Sequence, residues 1–344
     1  MKNSRNIQVE RAHGSLLVRN KSLLLILVIS CLLTVLLSAA LGDMRIHPVE
    51  VIRVWFGGGS EEHRLVIHTL RLPRIIAALL IGASLAVAGA ILQGIIRNPL
   101  ASPDIMGITS GASLAAVIFI SYLAGTVSII WLPVAAMAGA CLTSIMIYIL
   151  AWKRGVTAIR LVLVGIGFNF LLGSITKIML LKNPVYTSSQ AYVWLTGTVY
   201  GTDWGTVGLM APWVAIFIPV AFLLSRNVNV LQLGDDVATA VGSSVQRQRF
   251  LLLMISVALA GAAVSVGGAI SFIGLIAPHI ARKLVGPSFG SVLPISALIG
   301  ALIVTAADTI ARTAFPPYDI PVGVFTAGVG APFFIYLLYR SRNS

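Results

Sequence analysis

Ten mainly apolar stretches alternate along the chain with short polar or Gly- and Pro-rich breaks: 22–41, 72–96, 105–124, 129–151, 159–181, 206–225, 249–267, 270–285, 291–311 and 321–339. Most of them approach or exceed the roughly 20 residues that carry an α-helix across a bilayer core. The pattern predicts an all-α polytopic membrane protein, a single transmembrane domain over 1–344 with about ten spans and little chain left for a soluble unit.

Two places break the pattern. Arg247 and Arg282 both read as lying on one side of the membrane, yet only 34 residues separate them, too few for two full spans of about 20 residues each. Gly267-Gly268 and Pro278-His279 punctuate that stretch. The eighth element therefore reads as a half-helix with an extended lead-in, which a membrane tolerates where protein or a water-filled cavity shields the backbone. Residues 98–104, bounded by Asn98-Pro99 and Pro103-Asp104, interrupt the first half before its third span in a similar way. Together with the loosely alike strings 85–90 and 258–263, these breaks suggest short interrupted helices in two loosely inverted halves, a pattern of transporters. Small residues alone would not carry that reading, because they are common wherever membrane helices pack closely.

Composition strengthens the membrane assignment. Hydrophobic residues make up 58% and charged residues 10% of the chain, whereas soluble domains carry about 25% charged residues. A soluble enzyme is excluded. The formal charge of +13 is spread in ones and twos between apolar runs, as topology signals are, and no basic stripe with interleaved aromatics points to nucleic acid. Arg45, Arg53, Arg64, Arg71, Arg74, Lys177, Lys182 and Arg312 fall on one side and the other sixteen of 24 basic residues on the opposite side. This bias predicts that both termini are cytoplasmic. The first run follows Arg11, Arg19 and Lys21 and is longer than a typical signal-peptide core, so it reads as an uncleaved span behind a basic tail, 1–21. Cys31 and Cys141 lie within apolar runs and read as small buried hydrophobes, with no disulfide framework or metal cluster available.

Two polar places stand out. The first is the break 231–247, on the cytoplasmic side by this count. Asp235 or Asp236 suits the N-cap of a short helix and Gly242 suits its end, so the segment reads either as a small surface helix for a partner's groove or as an ordinary solvated loop. The second lies on the opposite face, where Arg71 and Arg74 open the second span and Asp308 and Arg312 close the ninth. These arginines either snorkel to lipid headgroups or pair with carboxylates of an external protein. No Gly-Lys dipeptide, HExxH or GxSxG occurs, so Walker A, zincin and nucleophile-elbow chemistry have no carrier. His279 reads as structural. Lys177 and Asp104 are candidates for an ion relay, although both lie near predicted span ends.

Taken together, Arg71-Leu-Pro-Arg74, 82–86, Gly89-Ala90, Gln93, 98–101, Pro103, Gly107, Gly111-Ala112, Gly261, 268–279, Arg282, Ala307-Asp308, Arg312, 321–324, Thr326 and 330–333 make the chain resemble the permease subunits of ABC importers for ferric siderophores, haem and vitamin B12, the FecCD or BtuCD-like group. The resemblance covers almost the whole length. It implies a type II ABC importer permease fold in a bacterial inner membrane, a second permease subunit, an ABC ATPase dimer on the cytoplasmic face and an extracytoplasmic substrate-binding protein outside.

Residue by residue, it implies that Gly234, Asp235, Asp236, Ala238 and Gly242 belong to an ATPase-coupling helix. It further implies that Arg71, Arg74 and Arg312 dock the binding protein, that Gly165, Gly167 and Asn169 line the translocation pathway, and that 186–204 holds an outer helix. Asp235-Asp236 stands where a Gly-Glu pair is common, which leaves the cap residue open. No cofactor or catalytic residue is implied. An ion-coupled secondary transporter remains the alternative and would need a buried coupling carboxylate. An intramembrane enzyme would need paired catalytic polar groups at one depth.

Overall fold

The computed structural model describes residues 2–341 except 105, 154 and 317, with side chains described for residues 19–340 apart from the same three. Arg154 and Arg342, and the side chains of Lys2, Arg5 and Arg11, all used above in the topology count, lie outside the described set. The helices are α1 (Lys2–Ala40), α2 (Pro48–Trp55), α3 (Glu61–Leu65), α4 (Leu72–Ile96), α5 (Ile108–Ile118), α6 (Leu132–Ala151), α7 (Ala158–Lys182) and α8 (Val185–Thr196). They continue with α9 (Trp204–Leu223), α10 (Ser225–Gln232), α11 (Asp235–Ala240), α12 (Val245–Gly267), α13 (Ile273–Val285), α14 (Phe289–Thr313) and α15 (Val322–Ser341). No strand occurs among the described residues.

Each of the ten apolar runs corresponds to a helix. Eight are long and apolar enough to cross a membrane. The other two, α5 and α13, are the short elements that the interruptions announced. Both begin at a left-handed residue, Gly107 (φ 70°) and Phe272 (φ 69°). Their irregular lead-ins are held inside protein, since Ala101, Ser102, Pro103, Gly267, Gly268 and Ile270 are buried. That burial is what unpaired backbone at membrane depth requires.

Helix α4 is the central post, packed on α12, α13 and α14. Its small residues explain why it can be so deeply enclosed. A Cβ on Gly82 would run into the Gly300 carbonyl of α14, and one on Gly89 into the Gly274 carbonyl of α13. Backbones that approach this closely exchange side-chain volume for extended van der Waals contact.

Three elements differ in extent from the expected ones. The first helix reaches back through the basic tail: α1 runs from Lys2 to Ala40, and its apolar span covers Arg19–Ala40. The second span begins before residue 72, because Ser60 caps α3 through its hydroxyl, accepting from the His63 N–H at 3.3 Å, and a π-helical stretch Val66–Arg71 joins α3 to α4. The wider turn accommodates Pro73, which cannot donate and would crowd the preceding turn of a regular helix. The outer helix expected over 186–204 stops at Thr196, where Gly197 turns the chain at φ 83°.

Candidate functional site

At one end of the bundle lies α11. The chain enters it through Gly234 at φ 109°, a conformation reserved for glycine, so Gly234 rather than Asp235 or Asp236 occupies the N-cap position and no side chain caps the helix. The N-cap reading of the two aspartates is thereby corrected. Both occupy the first turn, where a carboxylate still favours the helix dipole. Ala238 is fully buried and seats the helix, while Asp236, Val237, Thr239, Ala240, Val241 and Gly242 are exposed. Gly242 (φ 83°) turns the chain out of the helix.

Asp235 is engaged elsewhere. Its Oδ1 accepts from Arg97 Nη2 at 2.8 Å, and its two oxygens accept from Arg249 Nη2 at 2.9 and 3.0 Å. Arg97 closes α4 in a left-handed conformation, φ 56°. Arg249, counted above as a topology charge, is in fact 1% exposed inside α12. Its Nη1 donates to the Val156 carbonyl, just ahead of α7. Nothing in the spacing of Arg97 and Arg249 announces this cluster, since Arg249 is 152 positions from Arg97 in sequence.

At the opposite end of α4 the three singled-out arginines converge. Arg71 is 7% exposed and donates to the carbonyls of Ala39 (2.6 Å), Ala40 (3.3 Å) and Met44. Arg312 donates to the carbonyls of Leu41 (2.9 Å) and Ser38 and to the Ser38 hydroxyl (2.9 Å). The two guanidinium groups thus satisfy carbonyls at the end of α1, which have no helical partner of their own. Arg74 forks between Asp308 (2.8 Å) and Asp319 (2.5 Å), with Tyr200 facing its guanidinium at 5.8 Å. Asp308 is 1% exposed. The structure therefore brings the three residues together, but as a clamp among α1, α4, α14 and the segment before α15. Arg71 is largely enclosed there, with both Nη atoms donating to backbone carbonyls.

A cavity of about 860 Å³ lies along α5 and α7, closed on one side by α8 and Ser271. Asp104, Ser110, Asn169, Thr176, Lys177 and Tyr192 are among its lining residues. Asn169 also ties the walls together: its Nδ2 donates to the Asp104 carbonyl at 2.6 Å and its Oδ1 accepts from the Ser110 hydroxyl at 2.6 Å. Gly165 and Gly167 are not part of this lining. Gly165 is buried, and Gly167 faces open space. The polar residues from α5 and α8 were not singled out from the sequence, where hydroxyls in apolar helices carry no distinctive spacing. Among the described residues no group of three or more His, Cys, Asp or Glu is placed to hold a metal ion.

Residues 27–340 match the model of the FecCD transport family. The chain is 50% identical over 314 residues to the Bacillus subtilis (strain 168) protein named "Probable siderophore transport system permease protein YfhA", covering 90% of this chain and 92% of that one. It is 48% identical to the achromobactin transport system permease protein CbrC of Dickeya dadantii (strain 3937), covering 94% and 91% of the two. Among solved structures, an inward-facing transporter assigned to the metal-chelate type of ABC transporters superposes with a TM-score of 0.82 at 28% identity, covering 93% of this chain and 99% of that one.

Proposed function

The chain belongs to the FecCD transport family, and from that membership we propose that it is the membrane permease of an ATP-driven importer that carries a ferric siderophore or a related metal chelate into a bacterial cell across the inner membrane. Its curated relatives at high identity are named for siderophore, achromobactin and iron(3+)-hydroxamate transport, and this is the support for the substrate class. The permease acts without covalent chemistry. ATP is hydrolysed in a separate ATPase dimer, and a binding protein delivers the chelate to the other side. A second permease subunit completes the pathway, and both termini lie on the ATPase side.

The observation that carries this reading is α11. A six-residue helix with an exposed outer face, seated through Ala238 and tied by ion pairs to α4 and α12, is a handle rather than a span. The loop 231–247, with Gly234, Asp235, Asp236, Ala238 and Gly242, is accordingly the seat of the ATPase. The binding protein lands at the opposite end, near Arg74 and Arg312. Arg71 lies at the same end, where it holds the end of α1 in place. The chelate passes along α7, with Asn169 on the cavity wall and Gly165 and Gly167 on the same helix.

Replacing Gly242 by Pro tests the handle, because proline cannot adopt the positive φ found there. The ATPase should be lost from the purified assembly while helix content persists. Retention of the ATPase at its ordinary stoichiometry would remove the assignment.

A further inference from the structure

Resting on the reading of α11 as the ATPase seat, we propose that Asp235 is the positioning residue through which movement of that helix reaches both walls of the transport cavity. Two routes leave its carboxylate. The first runs through Arg97, which closes α4, into the segment 98–104. That segment carries Asp104, one of the residues that line the cavity. The second runs through Arg249 to the Val156 carbonyl.

Val156 is fully buried and doubly held, because Gln246 Oε1 accepts from its N–H at 2.9 Å and Gln246 Nε2 donates to its carbonyl at 3.4 Å. Two residues later α7 begins, and this helix supplies Asn169, Gly173, Thr176 and Lys177 to the same cavity. The routes meet again across the cavity wall, where Asn169 donates to the Asp104 carbonyl.

Chemistry favours this junction over the neighbouring contacts of α11. The Asp235 carboxylate is the group of α11 that meets two guanidinium groups. Asp236 is exposed and joins no ion pair recorded among the described residues. Arg249 has no room to follow solvent, being 1% exposed and fixed at its other end by a backbone carbonyl. A displacement of Asp235 is therefore passed on to Val156 rather than absorbed by a swinging side chain. Arg97 sits in a left-handed conformation that costs a non-glycine residue energy, a cost that the ion pair with Asp235 helps to offset.

The test uses the whole assembly of permease, ATPase and binding protein in proteoliposomes, with Asp235→Asn, Asp235→Glu and Arg97→Gln. Asp235→Asn keeps shape and removes charge. Measured per ATP hydrolysed by assemblies that keep the ATPase bound, chelate import should fall about tenfold, and Asp235→Glu should recover most of the loss. Arg97→Gln, which opens one route and leaves the other, should give an intermediate ratio. An unchanged ratio in Asp235→Asn, or a loss of uptake that merely tracks lost assembly or lost fold, overturns the proposal. Val241→Cys, on the exposed side beyond α11, keeps the two readings apart: its cross-linking to the ATPase tests the seat whatever the ratio does.

Discussion

Arg74 and Asp308 face each other across the crossing of α4 and α14 at 2.8 Å, with side chains 12% and 1% exposed. Asp308 has this guanidinium as its close partner, since Arg312 stands 3.9 Å away. Arg74, in contrast, shares itself with Asp319, which is 25% exposed. The pair is therefore asymmetric. Arg74→Met leaves a buried carboxylate without a close partner and should cost about 3–5 kcal/mol. Asp319→Asn weakens a pair that water partly screens and should cost about 0–1 kcal/mol. Thermal midpoints of the purified permease in detergent rank the two, and equal losses would contradict the asymmetry.

Arg71 offers a separate test of what the clustered arginines do. Because Arg71 donates to the carbonyls of Ala39, Ala40 and Met44, Arg71→Gln should loosen the junction of α1 with α2. Faster amide exchange over 38–46 is the expected result. Binding-protein affinity measured on the fraction that remains folded should stay within about twofold of wild type, a difference of about 0.4 kcal/mol. A selective loss of affinity with unchanged exchange would restore Arg71 to the docking surface.

Two glycines of the long helices should answer oppositely to a side chain. Gly89 lies against the Gly274 backbone, so Gly89→Val forces α4 from α13 and should cost about 1–3 kcal/mol or more. Nothing lies near a Cβ at Gly167, and Gly167→Ala should be neutral or stabilise by up to about 1 kcal/mol, as Ala does in helix interiors. Folded yield after membrane extraction reads both.

The start of α9 should respond to acid. Asp203 caps it, with Oδ1 accepting from the Thr206 hydroxyl at 2.6 Å and the Thr206 N–H at 2.8 Å, and these bonds hold its carboxyl below the usual carboxylate range. A lowered folded-state value means that the contribution is present above the unfolded-state value and disappears as pH falls through the folded one. Asp203→Ala should cost about 1 kcal/mol at neutral pH, and the difference from wild type should shrink in acid. Asp203→Asn should keep much of the cap and remove its pH dependence.

Hydrophobic patterning carries far in a membrane protein because each span must satisfy its own backbone, so run length and helix length coincide closely for α6, α7 and α14. The shortfall between Arg247 and Arg282 likewise exposed α13 as a half-helix, since geometry fixes how much chain a full span consumes. Pairing was the illegible part. Asp235 shows its charge in the sequence, but its partners lie at Arg97 and Arg249, and a buried guanidinium resembles a topology charge until the helix that holds it is placed. The same limit hid the bonds of Arg71 to the end of α1. Asn169 was reached through the family resemblance, and the hydroxyls around it became meaningful when α5, α7 and α8 were seen to share one cavity.

The central claim is that this chain is a gated conduit driven by other subunits. The most direct measurement is uptake of a radiolabelled ferric siderophore into proteoliposomes holding the permease, with the ATPase and binding protein added or withheld. Accumulation should require both, together with ATP, and should be absent when the permease alone faces a proton or sodium gradient. Gradient-driven accumulation by the permease without any ATPase would contradict the account.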